Sequence, residues 1–126
     1  MGILEFAQPA VVICARDRGR ATAFYRDTLG LGFLREDTFN AVLKLGEGTV
    51  RIAAVPDYVP HEHTILGFRV SDVPAAVVAL AGRGVEFQRY SHIPQDEMGV
   101  CTLPGGSACV AWFKDTEGNV LSVTNA

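Results

Sequence analysis

Arg16-Asp-Arg-Gly-Arg-Ala-Thr-Ala-Phe-Tyr-Arg-Asp-Thr-Leu-Gly-Leu31 is the stretch from which the rest of the chain can be placed. Ala21, Phe24, Tyr25 and Leu29 recur at steps of three and four residues, which puts them on one face of a helix, while Arg20, Arg26 and Asp27 fall mostly elsewhere. Asp17 stands where a carboxylate caps the first unpaired N–H groups, and Gly30 where a left-handed residue ends a helix, so a helix is expected from about Arg18 to Leu29. Before it, Ala10-Val-Val-Ile-Cys-Ala15 is short, apolar and β-branched, and reads as a strand buried on both faces. After it come three strand candidates, Gly32 to Arg35, Ala41 to Leu45 and Val50 to Ala54, separated by Asp37/Asn40 and by the Gly46-Glu-Gly48 turn. The first half reads βαβββ.

Pro56 to Pro60 interrupts regular structure, and the order then begins again. His63 to Val70 alternates Leu66, Phe68 and Val70 with Gly67 and Arg69, a strand pattern. Asp72 precedes an Ala/Val-rich helix from about Val73 to Ala81, with Pro74 in its first turn and Gly82 and Gly84 at its end. Val85 to Tyr90 is expected as the next strand. A loop with His92, Pro94 and Gly99 leads to a short strand at Val100 to Leu103, and Cys109 to Lys114 and Val120 to Thr124 form a hairpin across Asp115-Thr-Glu-Gly-Asn119. Asp17 falls on Asp72 and Ala21 on Ala76 at an offset of about 55 residues, which points to a degenerate internal duplication.

Composition narrows the function classes. A chain of 126 residues, 48% hydrophobic and 20% charged, suits one compact domain with its own core. A net charge of -3 and a pI near 5.5, with no Lys/Arg cluster, argue against nucleic acid and anionic membranes as partners. No apolar run approaches the ~20 residues that span a bilayer, and Met1 to Ala10 lacks a secretory design, so a cytoplasmic protein is expected. Cys14, Cys101 and Cys109 are odd in number and show no CxxC spacing, as reduced thiols would.

The first stretch, together with Phe68-Arg-Val-Ser-Asp-Val-Pro-Ala-Ala-Val-Val-Ala-Leu-Ala-Gly-Arg-Gly-Val85 and Trp112-Phe-Lys-Asp-Thr-Glu-Gly-Asn-Val-Leu121, resembles the vicinal oxygen chelate superfamily of glyoxalases, bleomycin-resistance proteins and dioxygenases. The resemblance implies an α+β fold of paired βαβββ modules, here about residues 9–56 and 62–125 of a single domain over 1–126, forming a curved mixed sheet with a cleft. It also implies a homodimer, and a ligand or divalent metal held in the cleft. In metal-using relatives, a His, Gln or Glu sits early in each module's first strand and a carboxylate in each last strand, so that hard ligands converge. Here the corresponding positions hold Ala10 and Ile65, then Ser122 and either Ile52 or Ala53. A serine hydroxyl is a poor substitute for a carboxylate, so no metal and no cofactor are expected. His61, His63 and His92 are the residues from which a site could be rebuilt elsewhere.

Period-two alternation sends Ile65, Gly67 and Arg69, Trp112 and Lys114, and Ser122 and Thr124 to the cleft side of their strands. Arg51, whose face the pattern does not fix, and Cys14 join Trp112, Arg69, Ser122 and Ile65 as the candidate ligand-binding residues; no catalytic residue is assigned. An indole beside guanidinium groups suits a planar or carboxylated small organic molecule. The expected function is a metal-free small-molecule-binding protein. The alternatives are an enzyme, either a metal-dependent lyase, isomerase or dioxygenase with non-inherited ligands or a metal-free catalyst using cleft residues such as Cys14 or Arg69, and an interaction domain whose cleft is filled by protein.

Overall fold

A computed structural model describes residues 2–126. Their contacts divide the chain into two compact units that meet in sequence at Tyr58 and Val59. In the first, β1 (Ala10–Ala15) leads through α1 (Arg18–Ala23) to β2 (Gly32–Glu36), β3 (Asn40–Leu45) and β4 (Gly48–Ala54). The sheet order is β1-β4-β3-β2, with β1 parallel to β4 and the other pairs antiparallel. The second unit repeats this plan: β5 (Thr64–Arg69), α2 (Val73–Ala81), β6 (Cys101–Thr102), β7 (Cys109–Lys114) and β8 (Val120–Thr124), in sheet order β5-β8-β7-β6 with β5 parallel to β8.

Both helices start as their sequences predict. Asp17 accepts a hydrogen bond from the Arg20 amide at 3.1 Å and Asp72 from the Ala75 amide at 3.0 Å, each satisfying a donor the helix cannot. Their buried faces differ in reach: Ala21 and Tyr25 are fully buried in the first unit, Val73 and Val77 nearly so in the second. Ile13, Ala15, Leu43 and Ile52 complete the first core, and Ala111, Phe113, Leu121 and Val123 the second.

Three expectations are corrected. The helix after Asp17 is not continuously α: Phe24–Thr28 forms a π turn in which the Leu29 amide donates to the Phe24 carbonyl, five residues back, and Gly30 at φ 81° lets Leu31 reach the Tyr25 carbonyl. β1 is buried on one face only, since Val12 is 58% exposed while Ile13 and Ala15 are fully buried. Val85 to Tyr90 is not a strand; one bridge, Phe87 to Phe113, is all that forms. The Gln95 side chain supplies the reason: it accepts from the Tyr90 amide at 2.8 Å and donates to the Gln88 and Gly99 carbonyls at 2.9 Å. A single side-chain amide thus takes hydrogen bonds that a neighbouring strand would otherwise provide.

Candidate functional site

In the second unit the register decides which side chains share a face. Gly67 pairs with Ser122, and Ser122 with Trp112, in one cross-strand row; Arg69 pairs with Thr124, and Thr124 with Val110, in the next. These residues alternate with Phe68, Val123, Ala111, Leu121 and Phe113, so they occupy the sheet face opposite the core. The contact is close: a Cβ on Gly67 would stand 3.0 Å from Ser122 Oγ. Ile65 falls at an irregularity between Thr64 and Leu66 in the pairing of β5 with β8.

That face carries a hollow of about 360 Å³ whose lining includes Glu62, His63, Tyr90, His92, Trp112 and Val120. Tyr90 and Trp112 meet edge to face, with ring centroids 5.5 Å apart and planes at 85°. His92 stands 6.1 Å from the Tyr90 ring, and His61 lies 5.2 Å from His63. The Tyr90 hydroxyl is held above its ordinary ionisation range, first by burial and then by the nearby Glu62 carboxylate. Of the expected ligand-binding residues, only Trp112 lines this hollow; Ser122 and Arg69 share its sheet face outside the lining. Tyr90 and Glu62 were missed, because Tyr90 reaches Trp112 through the Gln95-bound loop rather than through a strand whose alternation could be counted.

In the first unit, Arg51 pairs with both Val12 and Val42, and Cys14 with Ala53, so Arg51 and Cys14 share one face two residues apart along the β1–β4 ladder. Cys14 is a half-buried thiol. Asp37 accepts from the amides of Asn40 at 2.7 Å and Phe39 at 2.8 Å. These bonds hold its carboxyl below the usual range; burial opposes them, and the charges of Arg51 and Arg18 add to them.

A model of the glyoxalase/bleomycin resistance protein/dioxygenase superfamily matches residues 7–123. The chain belongs to that superfamily. The fold agrees: a glyoxalase family protein from Enterococcus faecalis is 18% identical, with a TM-score of 0.72 over 98% of this chain and 99% of that one. A lactoylglutathione lyase from Agrobacterium tumefaciens is 16% identical, with a TM-score of 0.72 over 94% of this chain and 92% of that one. A bleomycin resistance determinant encoded on the transposon Tn5 is 21% identical, with a TM-score of 0.70 over 93% of this chain and 95% of that one. No curated protein matches the chain.

The superfamily fold raises the question of a divalent ion, and the donors available in each unit answer it. Ala10 and Ile65 have no donor atom in their side chains, Ile52 is buried opposite Ile13, and Ala53 stands opposite Cys14. Ser122 contributes one neutral hydroxyl. Among the described residues, no group of three or more His, Cys, Asp and Glu side chains is placed to hold a metal ion. These residues do not fit the hard-ligand set that a divalent cation needs. Among the described residues, too, no helix is long and apolar enough to cross a membrane.

Proposed function

We propose that this superfamily member is a metal-free binding protein for a small organic molecule, acting in the cytoplasm as a homodimer. The observation that carries the reading is the donor set: the superfamily fold is present while Ala10, Ile65 and the Ile52/Ala53 pair cannot ligate. The hollow over Trp112 supports it, having the size and the mixed aromatic and polar lining of small-ligand sites. Three thiols without a disulfide suit a reducing compartment.

The alternative of a metal-dependent lyase, isomerase or dioxygenase has one observation in its favour, that Glu62, His63 and His92 line the same hollow. Thermal melting separates the two. For the binding protein, divalent cations and chelators leave the melting temperature unchanged, while a true ligand at a hundred times its Kd adds about 2.7 kcal/mol of stability. A melting temperature raised by nickel, zinc or ferrous iron and lowered by chelator would favour the enzyme.

A further inference from the structure

We infer that the hollow beside Trp112 takes a flat organic cation, its ring on the aromatic pair and its positive group toward Glu62. This rests on the small-molecule reading above and narrows it to one charge class. Glu62 is the only Asp, Glu, Lys or Arg in the lining, and it is exposed, so it meets a ligand at little cost in desolvation. Arg69 and Lys114 lie on the same sheet but outside the lining, so no guanidinium or ammonium is placed there for a carboxylated ligand. The Tyr90 hydroxyl beside it is held above its ordinary ionisation range, first by burial and then by the charge of Glu62.

The aromatic side of the hollow fits the same class. Because Tyr90 meets Trp112 at 85°, the two rings do not cover each other's faces in a parallel stack, and an indole face is the strongest of the side-chain π surfaces for a cation. Gln95 is the positioning residue for this wall. Its bonds to Tyr90, Gln88 and Gly99 fix the loop that carries Tyr90 and His92. Arg89 adds donors to the Asp96 and Glu97 carbonyls of that loop.

Trp112 is the only tryptophan in the chain, so its emission reports on this hollow directly. The full chain would be titrated with N-methylquinolinium and, separately, with quinoline carboxylate, at about pH 8. The expected result is saturable quenching by the cation, with the carboxylate at least tenfold weaker. Glu62→Gln then weakens the cation about tenfold without lowering the melting temperature, while Glu47→Gln, the same charge change on an exposed turn of the first unit, leaves the affinity unaltered. Tighter binding of the carboxylate would overturn the cation class and leave the small-molecule reading standing. Quenching by neither probe, or a Glu62→Gln affinity equal to the parent's, would overturn the inference, and metal content would then decide the proposed function by itself.

Discussion

Asp115 organises the last turn from a buried position. Its Oδ1 accepts from the amides of Glu117 at 2.8 Å and Asn119 at 3.0 Å, and its Oδ2 from the Asn119 side chain at 2.8 Å. Asp115→Ala strands these donors away from water, and urea unfolding should show a loss of about 2 to 3 kcal/mol, whereas an exposed carboxylate such as Glu47 should cost less than about 0.5 kcal/mol. Asp37 predicts a pH effect. Its folded-state ionisation is depressed by the Asn40 and Phe39 amides, so its contribution to stability is fully present above the unfolded carboxylate range. That contribution is lost as the pH falls through the folded value. The stability difference between the parent and Asp37→Asn should therefore grow as the pH rises across the carboxylate range and be flat above it, measured by denaturant unfolding at a series of pH values. Residues whose role is local, such as Asp17 and Asp72 at their caps, were legible in the sequence, since a cap needs only its own next three residues. Tyr90 was not, since its place depends on Gln95 five residues on.

At the scale of elements, the entry of β4 leaves no room for a side chain. A Cβ on Gly48 would meet the Pro9 carbonyl oxygen at 2.3 Å, the same oxygen that accepts the Thr49 amide at 2.9 Å. Gly48→Ala must push β1 and β4 apart, and a destabilisation of about 2 kcal/mol or more is expected in urea, against about 1 kcal/mol for the cap variant Asp72→Ala. The helix from Val73 to Ala81 and the hairpin strands Cys109–Lys114 and Val120–Thr124 could be read from sequence because cap, periodicity and turn chemistry agree there. The helix after Asp17 could be placed but not its π turn, which follows from a one-residue shift in hydrogen bonding at Phe24. The expected strand at Val85 to Tyr90 had β-forming residues, but side-chain bonding by Gln95 outcompeted a ladder.

Across the whole molecule, the repeated order of elements and the matching caps made the superfamily readable from the chain alone, and both units follow one topology. The candidate site was readable only in part. Period-two alternation correctly put Trp112, Ser122 and Arg69 on one sheet face, but it could not tell which of them a hollow would include. The proposed function rests on four positions: where the superfamily resemblance implies hard ligands, this chain carries Ala10, Ile65, Ser122 and the Ile52/Ala53 pair. The most direct test is elemental mass spectrometry of untagged protein, purified without chelator, offered nickel, zinc, manganese and ferrous iron in turn and passed through gel filtration. Less than about a tenth of an equivalent of each metal per chain is expected. About one equivalent of any of them, retained through the column, would overturn the metal-free reading.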